Sequence, residues 1–119
     1  MPTYFFQSKK ILVTGGVGLI ASNLIPQLLA AGAKVRATFH NREPEVKTEE
    51  VEYVKTDLTR PEDCQKIMVG ADYVFHCASN TPGAQATAQN PLGYVTANIV
   101  IDAQIFDAAY KAGIKKLLW

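Results

Sequence analysis

The chain has 119 residues, 48% of them apolar, and a formal net charge of +1 at neutral pH. That length bounds it to one domain, and that charge supplies no basic or acidic surface field to draw in nucleic acid or a membrane. Its two cysteines, Cys64 and Cys77, offer neither metal-ligand spacing nor a disulfide framework, and their apolar or helical settings predict buried, reduced thiols.

At the N-terminus, charges follow the short apolar patch, the wrong order for a secretory signal. No apolar run approaches the ~20 residues of a membrane span, so a cytoplasmic chain is expected. Lys10–Thr14 reads as a buried strand. It runs into Gly15-Gly16-Val17-Gly18 and then an apolar helix over Leu19–Ala31, with Gly32 as its stop. Ala33–Phe39 alternates as a second strand, and the polar run His40–Glu50 reads as a loop. Val51–Lys55 is a third strand. Thr59 or Arg60 caps a helix with Pro61 in its first turn, running to about Val69 and ended by Gly70. Asp72–Cys77 is a fourth strand, Ala78–Asn90 a loop, and Pro91 opens a long helix to about Ala112, stopped by Gly113. Lys115–Trp119 begins a fifth strand. Pro26 lies inside the first helix, where a kink or a tightened first turn is expected. The final apolar strand has no element after it, so the chain reads as the front portion of a longer protein.

Strands separated by helices predict an α/β, doubly wound parallel sheet with helices on both faces and strand order 3-2-1-4-5. A ligand then belongs at the carboxyl ends of the strands, where the order reverses between strands 1 and 4. The turn after strand 1 suits a dinucleotide pyrophosphate there. Gly15 takes the tight turn, Gly18 leaves room for phosphate, and Ala21 permits close helix-on-strand packing. Amides near Leu19 and Ile20 would point at the phosphates from the helix N-terminus.

Five stretches carry a family resemblance: Ile11-Leu12-Val13-Thr14-Gly15-Gly16-Val17-Gly18-Leu19-Ile20-Ala21, Thr56-Asp57-Leu58-Thr59, Asp72-Tyr73-Val74-Phe75-His76-Cys77-Ala78, Tyr94-Val95-Thr96-Ala97-Asn98, and the run from Ala108 to Leu118. In order and spacing, nearly the whole chain resembles the N-terminal part of an extended short-chain dehydrogenase/reductase, of the epimerase/dehydratase group. GDP-L-fucose synthase-like and dihydroflavonol-reductase-like subfamilies both share features with it. The resemblance implies a three-layer Rossmann domain over residues 1–119, incomplete at its C-terminus. Asp57 would accept a hydrogen bond from the adenine amino group, and Leu58 would give backbone contact and apolar cover to that ring. Cys77, Ala78 and Ser79 would pass the ribose and pyrophosphate. His76 reads as a structural residue of a buried strand, and no base or third partner marks Cys77 as a nucleophile.

The end of strand 2 bears on the cofactor. NAD sites place an acid there, whereas NADP sites supply cations for the 2′-phosphate. Phe39 stands where the acid would be, followed by His40, Asn41 and Arg42, and Arg42 can pair with phosphate. Lys47 adds charge further along, and Glu43 and Glu45 reduce it. NADP is expected, with NAD second.

The group's chemistry uses a Tyr with a Lys four residues later and a Ser or Thr on the fifth strand. None of the five tyrosines here has that lysine. No catalytic residue is therefore assigned within the 119 residues, and the chain alone is expected to be inactive. A parent protein would pass hydride to or from a carbonyl or a nucleotide-sugar carbon. The competing expectation is a non-catalytic dinucleotide-sensing module; a chain that kept the fold and lost the ligand is a third. Asn80, Thr81 and Gly83 are candidates for facing nicotinamide or substrate, and Tyr94 and Asn98 for bracing the site. Many members of the group dimerise through the long helix, so a homodimeric parent is expected.

Overall fold

Five strands lie parallel in one sheet: β1 (Lys10–Thr14), β2 (Lys34–Phe39), β3 (Val51–Lys55), β4 (Tyr73–His76) and β5 (Lys116–Leu118). Their order is β3-β2-β1-β4-β5, as the alternating pattern predicts. The computed structural model describes residues 3–45, 47–79 and 84–119. β1 is central, with Leu12 in register with Arg36 of β2 and with Val74 of β4. Ile11 through Thr14 are buried, because a strand covered on both faces has no solvated side to carry polar residues.

The two-residue period of the strands sorts the core into two clusters. Ile11, Val13, Val35 and Ala37 face α1 (Leu19–Ala30), which presents Ala21, Ile25 and Leu28. Leu12 and Val74 face the other way. There they meet Cys64, Ile67 and Met68 of α2 (Pro61–Met68) and Ile105, Ala108 and Ala109 of α4 (Val95–Lys111). The packing positions of α4, with Ile101 beside them, follow the i, i+4, i+7, i+8 spacing of one helix face. Burying a side chain such as Leu28 contributes about 1.5–3 kcal/mol.

Helix stops fall where expected: Gly32, Gly70 and Gly113 follow their helices with left-handed φ. α1 runs through Pro26, whose ring faces solvent and has no N–H to offer the Ser22 carbonyl. A 3₁₀ turn at Thr3–Phe6 was not predicted. Phe6 from it stands edge-on to Tyr73, with ring centroids 6.3 Å apart.

Two boundaries differ from expectation. The stretch Ala78–Asn90 is not all loop, because Ala84–Gln89 forms the short helix α3. Its Ala-Gln-Ala-Thr-Ala-Gln composition favours helix, but Pro82 and Gly83 ahead of it read as turn signals. Pro91 does not open α4. Gly93 breaks the run, turns close from Gly93 N–H to Asn90 O and from Val95 N–H to Leu92 O, and the helix starts at Val95. Arg60 caps α2 without a side-chain bond, since Thr59 is committed to Asp57.

Arg36 has a role its sequence position does not advertise. It is the inward charge of β2, and its Nη1 donates to Ile67 O and Val69 O, both at 2.7 Å, while Nε donates to Glu52 Oε2 at 2.8 Å. It closes the C-terminal carbonyls of α2, where a cation also suits the helix dipole. Among the described residues, no helix is long and apolar enough to cross a membrane.

Candidate functional site

At the carboxyl end of β1 the chain turns with Gly15 at φ +68. A Cβ there would lie 2.7 Å from Ala78 Cα and 2.9 Å from Ala78 N, so backbone meets backbone where β1 and β4 leave the sheet. Gly16 is tight for a different reason. Its Cβ would fall 2.7 Å from Ala37 Cβ, and its N–H donates to Thr38 O at 2.7 Å. Gly18 has an ordinary extended backbone (φ −76, ψ 170), and a Cβ on it would meet only Gly15 O, at 3.3 Å.

Gly18 is the N-cap of α1 and brings no side-chain cap. Its carbonyl accepts Ser22 N–H at 2.9 Å and Ser22 Oγ at 2.7 Å. The amides of Leu19, Ile20 and Ala21 have no carbonyl four residues back within the helix, and they sit at the positive end of its dipole. Leu19 and Ile20 project their side chains outward, 82% and 67% exposed, while Ala21 packs inside.

A threonine stands within one residue of the carboxyl end of three adjoining strands: Thr14, Thr38 and Thr56, all buried. Thr38 Oγ1 accepts Gly15 N–H at 3.1 Å, and Thr14 Oγ1 accepts Ala78 N–H at 3.1 Å. Thr56 N–H donates to Phe39 O at 2.8 Å. These bonds fix the strand exits relative to one another. The sequence carries this signal as a hydroxyl near the close of each strand. Behind Thr14, the ring of His76 lies between Thr14 and Asp102 of α4, bridging β4 to the strand beside it and to the helix.

Beyond β3, Asp57 Oδ1 accepts both the Thr59 hydroxyl at 2.6 Å and the Thr59 N–H at 3.0 Å. The hydroxyl bond and then the amide bond hold its carboxyl below the usual range, with smaller help from His40 and Arg60. Asp57 N–H donates to Asp63 Oδ2 at 3.0 Å. Much of what Asp57 does is therefore to shape its own turn. Leu58 buries its side chain with Cys64 and Ile67, and its carbonyl accepts from Cys64 Sγ at 3.3 Å. It lines the wall from within the core instead of reaching outward.

These exits surround a cleft of about 760 Å³ between β1 and β4. Gly15, Gly18, Leu19, Ile20, His40, Asn41, Arg42, Asp57, Leu58, Cys77, Ala78 and Ser79 all line it, so the structure brings the predicted cofactor-binding positions to one cavity, while Tyr94 and Asn98 are not among its lining residues. Val17, Thr38, Thr59 and, from α4, Ala97 and Ile101 line it too and were not foreseen. Glu43 pairs with Lys47 at 3.6 Å, which spends both charges on each other. Arg42 has no carboxylate partner among the described residues. Burial pushes the Cys77 thiol up, which keeps it protonated and unsuited to nucleophilic attack. Asn80, Thr81 and Gly83 lie outside the described residues. A second hollow, about 470 Å³, sits at the opposite, amino end of the sheet among Lys10, Lys34, Arg36, Glu49, Glu50 and Glu52.

Comparison with known proteins agrees with this geometry. Residues 11–119 match the model of the NAD dependent epimerase/dehydratase family. The GDP-L-fucose synthase of Sinorhizobium fredii is 25% identical over 121 residues, covering 100% of this chain and 34% of that enzyme. A 2-alkyl-3-oxoalkanoate reductase of Stenotrophomonas maltophilia is 32% identical over 111 residues, covering 92% of the chain and 32% of the enzyme. Among solved structures, an epimerase of Methanothermobacter thermautotrophicus superposes with a TM-score of 0.84 at 27% identity, covering 98% of this chain and 36% of that one. The chain spans about a third of the length of the curated relatives it matches. A glycine turn after β1, a reversed strand order beside it and a match over residues 11–119 lead to one assignment: the chain belongs to the NAD dependent epimerase/dehydratase family.

Proposed function

We propose that the cleft binds NADP(H), with NAD(H) as the weaker ligand. In this reading the chain is the cofactor-binding part of an oxidoreductase or epimerase that transfers hydride to or from a carbonyl or nucleotide-sugar carbon. The observation that carries the reading is the uncapped first turn of α1 opening into a cleft whose neck is the Gly15–Ala78 approach. The residues fit the group. About 760 Å³ lies within the range of small-molecule sites, and the space in front of Gly18 is left open by the protein's own atoms. When bound, the nicotinamide supplies the site that takes or gives hydride.

The chain's residues hold and orient. Leu19 and Ile20 amides bind pyrophosphate at the helix N-terminus. Arg42, with His40 and Asn41, meets the 2′-phosphate, and the absence of an acid at Phe39 spares that anion repulsion. Asp57 Oδ2 accepts from the adenine amino group while Oδ1 remains with Thr59, and Leu58 backs the ring. Ala78 passes the ribose, with Cys77 and Ser79 on either side.

GDP-L-fucose synthase among the relatives supports a nucleotide-sugar substrate for the whole protein, and the reductase supports a simpler carbonyl compound. Ile99, Phe106 and Tyr110, exposed on α4 at spacings of seven and four, support pairing of the whole protein through that helix. The free thiols Cys64 and Cys77 support a reducing, cytoplasmic setting. Calorimetric titration of the 119-residue chain with NADP⁺ and NAD⁺ tests the cofactor reading. Binding of both, tighter for NADP⁺, is expected; saturation by neither at millimolar ligand would overturn it.

A further inference from the structure

His76 is enclosed, with a side chain 0% exposed, and both of its ring nitrogens are engaged. Nδ1 lies 2.6 Å from Thr14 Oγ1, and Nε2 lies 2.8 Å from Asp102 Oδ1. Thr14 Oγ1 also receives the Ala78 N–H at 3.1 Å. The Phe106 ring and the imidazole stand in a T-shaped arrangement, with centroids 6.2 Å apart.

For a neutral ring, the proton inventory sets the direction of this row. An amide N–H only donates, so Ala78 fills one lone pair of the Thr14 hydroxyl. A carboxylate only accepts, so Nε2 carries a hydrogen toward Asp102. In the neutral ring Nδ1 is then an acceptor, and the Thr14 O–H points at it. Ala78 gives to Thr14, Thr14 to His76, and His76 to Asp102, with no donor left over. Shifting the ring hydrogen to Nδ1 would place two donors on Thr14 Oγ1 and leave Asp102 facing a bare nitrogen.

An acid, an imidazole and a hydroxyl in line resemble an activated nucleophile. Thr14 is 0% exposed, however, and no substrate reaches its oxygen. What the row does reach is Ala78, whose N and Cα form the far side of the narrow approach at Gly15. We propose that His76 and Asp102 are positioning residues. By locking the Thr14 hydroxyl rotor they set the place of the Ala78 backbone, and so the width of the neck between the β1 turn and the β4 exit. Their effect on ligand affinity rests on the cleft being the dinucleotide site proposed above; their effect on Ala78 does not.

The test uses the ¹⁵N-labelled 119-residue chain. Ring-nitrogen spectra of the unliganded wild type report the His76 tautomer, with a protonated Nε2 and a bare Nδ1 expected. A protonated Nδ1 would overturn the proposal without any variant having to fold. In Asp102→Ala, the Ala78 amide is expected to exchange with solvent roughly five- to tenfold faster, with NADP⁺ binding weakened by a similar factor, the size of one lost neutral hydrogen bond. Asp102→Asn keeps an acceptor for Nε2–H and should restore both, while Asp107→Ala, elsewhere on α4, should change neither. Unchanged Ala78 exchange in Asp102→Ala, or no rescue by asparagine, would refute the positioning role. If wild type binds no dinucleotide, the functional reading fails, while the tautomer and the Ala78 exchange still decide this one.

Discussion

Two glycines of the turn, Gly15 and Gly18, should fail in different ways. For Gly15→Ala, the left-handed φ of +68 costs about 1–2 kcal/mol in a residue with a Cβ. The new carbon would also stand 2.7 Å and 2.9 Å from backbone atoms of Ala78, and relieving such overpacking costs about 1–3 kcal/mol. A loss of about 2–5 kcal/mol is a large part of the 5–15 kcal/mol typical of a domain, and at roughly 4 °C per kcal/mol lowers Tm by about 8–20 °C. Gly18→Val escapes the first burden and carries only a mild form of the second, because Gly15 O need yield by only a few tenths of an ångström. Its backbone is extended, and the nearest atom to a Cβ is Gly15 O at 3.3 Å, so stability should stay within about 1 kcal/mol. The valine would fill the space proposed for pyrophosphate, and binding should be abolished. Thermal melts and cofactor titrations on both variants separate the two effects. A Gly18→Val protein that binds as wild type does, or melts as low as Gly15→Ala, would refute the reasoning.

Arg42→Ala should weaken NADP⁺ about 10- to 100-fold, the size of a lost charge-assisted contact, and leave NAD⁺ nearly unchanged; equal losses in paired titrations would reject its assignment to the 2′-phosphate. Arg36→Met should lower stability by about 2 kcal/mol in urea melts, because the Ile67 and Val69 carbonyls lose their donor, while dinucleotide affinity holds. Burial, then the charges of Asp63 and Asp57, push the Cys64 thiol from its usual 9.0 up to about 11. The unfolded chain ionises first, so stability is whole below pH 9 and falls as pH rises toward 11; Cys64→Ala should flatten that alkaline limb. Asp57 has the opposite sign. Its folded carboxyl titrates below the usual 3.8, so its contribution is present above that pH and lost as acid protonates it, and Thr59→Ala should shrink this acid-sensitive part in pH-dependent melts.

The strand order was legible because β1 is apolar on both faces and a helix with a turn residue sets off β2, β4 and β5, while a polar loop sets off β3. That the predicted cofactor-binding positions share one cleft was legible for a related reason: in a doubly wound parallel sheet every strand exit opens on the same side. What stayed hidden depends on which partners each side chain finds, near or far along the chain. Asp57 looked available to a ligand, but Thr59, two residues on, takes one of its oxygens. Nothing near Arg36 in sequence announces that the end of α2 will lie beneath it, and nothing near Gly16 announces Ala37. Gly93 and the alanines of α3 were missed because turn residues next to short helical runs blur both signals.

The centre strand of this sheet has a price in time. Thr14 and His76, paired across β1 and β4, are 62 residues apart in the chain. At roughly 5–20 residues per second, a ribosome needs about 3–12 seconds to deliver the second neighbour after the first strand is made. During that interval the most apolar strand of the protein has one bare hydrogen-bonding edge. Nascent chains should therefore depend on chaperone cover until β4 emerges, and slow codons between β2 and β4 should raise the aggregated fraction during synthesis without altering the finished fold.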